Sequence, residues 1–402
     1  MESQFQAGTV LMLIAAVVAM LSRRVRLPYS VGLFLAGIFL ALLPFVPRIA
    51  LTKDLIFTAL LPPLLFEAAF DLHWDQVRRN LPVIVVLATV GVVISAGVTA
   101  TGMHFLLQWQ WFSALAFGVL IAATDPVSVI AIFREAKAHG RLLVLIESES
   151  LFNDGTAAVA FSVVLALAQG QQASAAGALL LLVKQVGGGI VCGVAVSYGA
   201  LLLMGRTNDH LVEVTFTTIA AYGSFLAADA FGLSGVLATI TAGLVMSNCQ
   251  SPRVLTERGK NTIETFWEYA AFVANSLVFL LIGMHEASQH FMAIWLPAAA
   301  AIVFVLVSRA AAIYPLCLLF ARSPLRVSAR HQLTLFWGGL RGALALALAL
   351  GLPMGFPLRD EIINVSFAVV AFSVFVQGIT MEPFLRKMGE IPRPAGHVVA
   401  KV

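Results

Sequence analysis

Charge is scarce in this 402-residue chain: Asp, Glu, Lys and Arg make up 11% of it, whereas 60% of the residues are hydrophobic. At a mean hydropathy of +0.93, too few polar side chains remain to cover a water-soluble protein of this length, which excludes a soluble globular fold. Alternating ten-residue apolar patterns are missing too, which argues against a transmembrane β-barrel. Cysteine is rare. Cys192, Cys249 and Cys317 stand far apart, with no CxxC and no neighbouring histidine, and they read as small apolar helix residues instead of a redox or metal centre. No basic patch underlies the net charge of +4, because the basic residues punctuate apolar runs; nucleic acid is therefore not expected as a partner. The first apolar run is followed, not preceded, by Arg23, Arg24 and Arg26. That is the reverse of a signal peptide and predicts an uncleaved first span.

What the chain does have is a succession of apolar runs of about 20 residues, the length a helix needs to cross roughly 30 Å of hydrocarbon. They predict an all-α polytopic membrane protein with about thirteen transmembrane helices, at 5–22, 28–46, 52–71, 81–107, 111–134, 141–169, 175–204, 210–229, 232–249, 262–284, 291–320, 331–351 and 361–385. The turns are short and no soluble domain is inserted, so residues 1–402 read as one transmembrane domain. From about Gly389 only a short tail remains, and no cytoplasmic regulatory domain is expected. Of the 25 basic residues, only Arg48, Lys53 and Arg359 fall on one side of this layout. Lys184, Arg309 and Arg341 lie within spans, and all the others fall on the opposite side. The positive-inside rule then puts the N-terminus outside and the C-terminus in the cytoplasm.

An ionised carboxylate in hydrocarbon costs several kcal/mol, so acids well inside a span point to function. Glu67 lies in the third span, Asp125 in the fifth, and Glu147, Glu149 and Asp154 in the sixth. At about 100° per residue, Glu149, Asn153, Ser150 and Asp154 stand at roughly 0°, 40°, 100° and 140° around the sixth helix. Carboxylate, hydroxyl and amide oxygens on one arc are the hard ligands that a small alkali cation prefers, and a carboxylate can hold a proton in its place. The plain alternative is a polar network gluing helices together. In the fifth span, ATDPVSV (123–129), Pro126 is expected to break the helix near Thr124–Asp125 and free carbonyl oxygens. In the twelfth, Gly338, Gly339 and Gly342 weaken the helix around Arg341. That arginine needs an anionic partner inside the bilayer, and Glu149 is the natural candidate for a structural ion pair. With the seventh span as a linker, helices 1–6 and 8–13 form two inverted six-helix repeats with broken helices 5 and 12 in corresponding positions, the arrangement that points to a midplane transport site.

Four segments, LPPLLFEAAF (61–70), ATDPVSV (123–129), ESESLFNDGTA (147–157) and FWGGLRGALALALAL (336–350), together resemble the NhaP/NHE-type Na⁺/H⁺ antiporters, the first branch of the monovalent cation:proton antiporters. The resemblance runs through essentially the whole chain in helix number and motif order. It implies exchange of Na⁺, or else Li⁺ or K⁺, for H⁺ by alternating access in the plasma (inner) membrane. Asp154 would exchange proton for cation, with Asn153 its neighbour in the paired motif. Na⁺ would be held by Asp154, Ser150, Thr124 and Glu67, and Asp125 would balance helix-end charges. Glu149 and Arg341 would form the ion pair that ties helix 6 to helix 12. The resemblance further implies a homodimer among membrane lipid, with a core of helices 4–6 and 11–13 moving against a dimerisation domain of helices 1–3 and 7–10. Because the motif pair is Asn-Asp, electroneutral 1:1 exchange is the simplest cycle. No cofactor beyond the transported ions is expected.

Two other classes are weighed. Gly232-Leu233-Ser234-Gly235 matches the GxSG of intramembrane serine proteases, but such an enzyme needs a histidine on a neighbouring helix, and the eight histidines fall in loops or near helix ends. A cation channel would need a pore helix or carbonyl ring, for which the chain has no signal. The chain is thus expected not to be an enzyme. Lys184 reads as a snorkelling or structural residue, and Trp109 and Trp111 as interfacial anchors.

Overall fold

A computed structural model describes residues 2–25, 27–43, 51–136, 140–170, 175–207, 209–248, 257–286 and 291–391, and all regular structure among them is helical. Cys249 and the tail beyond Ile391 lie outside the described residues. The helices are α1 (Glu2–Val25), α2 (Tyr29–Ala41), α3 (Leu61–Phe70), α4 (Trp74–Leu107), α5 (Trp111–Leu120), α6 (Val127–Glu135), α7 (Arg141–Ala168) and α8 (Ala175–Met204). They continue as α9 (His210–Ala230), α10 (Gly235–Ser247), α11 (Glu257–Glu286), α12 (Phe291–Leu318), α13 (Ala329–Trp337), α14 (Ala343–Leu350), α15 (Arg359–Phe372) and α16 (Ile379–Met388). Every apolar tract of the sequence contains helix. Among the described residues, seven helical stretches are long and apolar enough to cross a membrane by length and composition alone, and shorter apolar helices accompany them.

Local chemistry accounts for the irregular places. The fifth tract is two half-helices, since α5 stops at Leu120 and α6 starts directly after Pro126, whose ring and missing N–H weaken the helix there. The twelfth tract is likewise split into α13 and α14 by residues 338–342. The second half, ALALALAL, consists of strong helix formers, and Ala343 through Ala349 are all buried, as expected of a short helix that is apolar all round. Before α3 the chain makes a π-helical turn (Leu55–Leu60) that runs into Pro62 and Pro63, which cannot donate to that turn's carbonyls. A second π turn (Ser373–Gly378) joins α15 to α16.

Two groups of helices pack among themselves. One holds α4, α5, α7, α12, α14 and α15; the other holds α3, α8, α9, α10 and α11, with α1 and α2 laid on α11. Within the second group α2 and α11 approach so closely at Gly37 and Gly283 that a Cβ on either would collide with the other helix's backbone. The serine of the GxSG segment is structural, because Ser234 caps α10, its hydroxyl accepting from the Leu237 amide at 3.3 Å. Trp109 is buried, its indole donating to Glu361 at 3.2 Å, so of the two expected anchors only Trp111 is exposed. Lys184 is exposed on α8.

Candidate ion-exchange site

The two unwound segments meet and bond through their backbones, the Asp125 amide donating to the Leu340 carbonyl at 2.8 Å. Each interruption leaves helix ends with partial charge. Arg341 Nη1 donates to the carbonyls of Ala122 (2.9 Å) and Ala123 (3.2 Å), just past the negative end of α5. Asp125 Oδ1 accepts from the Val127 amide at 3.0 Å, at the positive end of α6. Its other oxygen lies against Gly342, where any Cβ would overlap the carboxylate. Gly339 does the same for Arg309: a Cβ there would sit 2.6 Å from Arg309 Nε. These glycines supply room for charged neighbours as well as weakening the helix. The second π turn holds the segment from behind. Ser373 accepts from the Arg341 amide at 2.9 Å and donates to Gln377 Oε1 at 2.5 Å, while Gln377 Nε2 donates to the Trp337 carbonyl at 3.1 Å.

The polar arc of α7 faces this crossing. Asn153 Oδ1 accepts from the Thr124 amide (3.1 Å), and its Nδ2 donates to Thr124 Oγ1 (2.6 Å) and to Glu149 Oε1 (3.2 Å). Ser150 Oγ lies 2.8 Å from Thr124 Oγ1. Glu149, Ser150, Asn153 and Thr124 are all buried.

The expected Glu149–Arg341 ion pair is not formed. Glu149 is paired with Arg309 of α12, which donates from Nη1 at 2.8 Å and from Nη2 at 2.9 Å, and also from Nη2 to the Leu335 carbonyl at 3.1 Å. Helix 6 is thus tied to helix 11 of the sequence layout, not to helix 12. The reason is that Arg341 stands on unwound chain beside freed carbonyls, which take its hydrogens. Arg309, inside an intact helix, meets one carbonyl, that of Leu335, and its remaining hydrogens take the carboxylate. Arg309 was visible in the sequence as the lone cation of a long apolar tract, and that isolation is itself a demand for a buried partner.

Beside the crossing opens a cavity of about 270 Å³, whose wall includes Thr124, Asp125, Asp154 and Glu67. Ser150 and Asn153 are not part of that wall and instead brace Thr124 from α7. Asp154 differs from every other acid at the crossing. Its Oδ1 is buried, yet no group among the described residues donates to it. An oxygen in that condition is costly unless something from the cavity, a proton, a cation or a water molecule, takes it up. Tyr29, Asp71, Arg134, Glu147, Glu268 and Asn275 also line the cavity. The sequence singles out none of these except Glu147, because most sit near helix ends where charge is unremarkable.

Comparison with known proteins agrees with this geometry. The family described as sodium/hydrogen exchanger, transmembrane, matches residues 10–387, and the chain belongs to that family. The chain is similar to the Na⁺/H⁺ antiporter ApNhaP of Aphanothece halophytica, with 37% identity over 372 residues, which is 91% of this chain and 70% of that protein. It is similar to the Na⁺/H⁺ antiporter NhaH of Halobacillus dabanensis, with 32% identity over 395 residues, covering 95% and 97% of the two. The fold is that of the sodium proton antiporter MjNhaP1 from Methanocaldococcus jannaschii, at a TM-score of 0.75 and 20% identity over 96% of this chain and 99% of that one.

Proposed function

We propose that Na⁺ and H⁺ are exchanged by competing for one group, the Asp154 carboxylate, on the wall of the cavity at the helix crossing. The chain is a Na⁺/H⁺ antiporter, as its family and its relatives indicate. It moves ions without transforming them and is not an enzyme. The observation that carries the assignment is the buried, unpartnered Asp154 Oδ1 beside Glu67, Thr124 and Asp125 on one cavity wall. Ser150 and Asn153 support the reading by fixing Thr124, whose carbonyl is offered as a ligand beside the Glu67 carboxylate.

Asn153 is already committed to Thr124 and Glu149, which favours a cycle with one titrating group in the motif pair and therefore electroneutral 1:1 exchange. The two packing groups support an alternating-access movement of one against the other, with the group of α8–α11 and α1–α3 as the dimerisation side of a homodimer. The lining of the cavity includes Arg134, which belongs to the side of the sequence layout that carries most of the Lys and Arg. This is read as the cytoplasmic face of a plasma membrane.

The test is Asp154→Asn in proteoliposomes carrying an internal pH dye, with NaCl, LiCl or KCl added outside. An amide binds neither a proton at neutral pH nor a cation strongly, so exchange is expected to disappear while the variant stays folded. Persisting Na⁺-dependent pH change in the variant sinks the assignment, and the wild-type response to the three salts fixes selectivity.

A further inference from the structure

The cavity is lined by several acids, but Arg134 is the only cation among the described residues that line it. Arg134 occupies the last turn of α6, and its side chain is 48% exposed. Its Nη2 hydrogen-bonds Asp71 Oδ2, and its Nη1 stands 3.6 Å from Glu67 Oε1. Glu67 and Asp71 are four residues apart on and just past α3 and therefore share a face, one turn apart. Glu147 of α7 acts on the same guanidinium, and Glu268 of α11 and His73 lie within electrostatic reach of the acids that hold it. The guanidinium is thus shared unequally. It is bonded to Asp71 and only near Glu67, where 3.6 Å is too long for a good hydrogen bond but short enough for strong charge attraction.

We propose that Arg134 is a tethered cation that competes with the transported ion for Glu67, drawn partly aside by Asp71, and so sets the exchanger's apparent affinity for Na⁺. This rests on the reading of Glu67 and Asp154 as the cation site. A charge fixed to the end of a short helix returns to Glu67 at an effective concentration of about millimolar or more. Free Na⁺ must outbid it. Arg134 acts through Glu67 and is a positioning residue: it touches neither the proton nor the cation.

The competition has a signature that damage to the fold lacks. Removing the guanidinium favours every cation in the cavity, protons included. Where protons are scarce the apparent KM for Na⁺ falls; where protons already occupy Asp154, their gain cancels that of Na⁺. In proteoliposomes at alkaline pH, Arg134→Gln is expected to lower the apparent KM for Na⁺ about three- to tenfold, a range set by the partial exposure of the pair. The difference from wild type shrinks toward acid pH. Arg134→Lys keeps the charge and stays near the wild-type KM. Asp71→Asn frees the guanidinium toward Glu67 and raises KM, but in the Arg134→Gln background it no longer does so.

The Na⁺ concentration that half-saturates thermal stabilisation of the detergent-solubilised protein follows the same order and needs no transport. An unchanged or raised KM in Arg134→Gln, with Arg134→Lys normal, overturns the competitor. An Asp71→Asn effect that survives undiminished without Arg134 makes Asp71 a direct attractor and overturns the tether. Either failure leaves the Asp154 assignment standing if Asp154→Asn is inactive, so the two readings fail separately.

Discussion

Glu149 and Arg309 show how one residue's solvation decides a helix contact. Both side chains are almost fully buried, and the pair is bidentate. Removing one partner leaves the other charged and dry, at a cost of about 3 to 5 kcal/mol, whereas removing both leaves neither. Glu149→Gln and Arg309→Gln are therefore each expected to lower the melting temperature and yield strongly, and the double variant to recover part of the loss. Thermal unfolding of the three variants in detergent measures the coupling, and losses that simply add would falsify the pairing. Arg341→Gln removes no hydrogen bond to Glu149, and combined with Glu149→Gln it is expected to show a much weaker coupling than Arg309→Gln does.

At the scale of the elements, the crossing depends on half-helix ends neutralised from opposite sides. Asp125 serves α6, and Arg341 serves the freed carbonyls after α5. Gly342→Ala pushes a methyl group into the Asp125 carboxylate and is expected to abolish exchange. Gly355→Ala, in open space beyond α14, is expected to be silent. Paired transport assays on the two variants check this, and full activity in Gly342→Ala would show that the contact is dispensable.

Much of this scale was legible beforehand. Pro126 signals its break because its ring disfavours the helix and Asp125 beside it can cap a new helix start, whereas Pro82, Pro297 and Pro315 stay inside continuous helices. The polar arc of α7 follows from helical period alone. Which helix faces Glu149 was not legible, because the sequence places Arg309 and Arg341 at similar depth, and only the fold says which of them reaches the carboxylate. Ser373 and Gln377, which brace the second interruption, escaped notice because serine and glutamine in an apolar run carry no charge to be explained. Asp71 escaped because a helix end is an ordinary place for an acid, while Glu268 lies well inside α11 and was overlooked.

For the molecule as a whole, competition at one carboxylate predicts the shape of the pH response. Below the pKa of Asp154 a growing share of the site holds a proton, so more Na⁺ is needed to displace it and activity falls. At high pH the site fails to reload with protons and activity falls again. The acid limb is expected to move to lower pH as Na⁺ rises, because more cation wins the site back. Measuring the profile over a wide range of Na⁺ checks this. An acid limb that stays fixed calls for a separate titrating switch.

Asn153, whose amide oxygen and nitrogen are both spent on Thr124 and Glu149, has one more consequence. An amide at this position adds no second charge to the travelling site. On the proposed exchange of one proton against one cation, a turnover would move no net charge, and the membrane's voltage would do no work on it. Such an exchanger idles where the Na⁺ ratio across the membrane equals the H⁺ ratio, whatever the potential. A cell that is strongly polarised but has equal pH on both sides would gain from it no Na⁺ extrusion against a gradient.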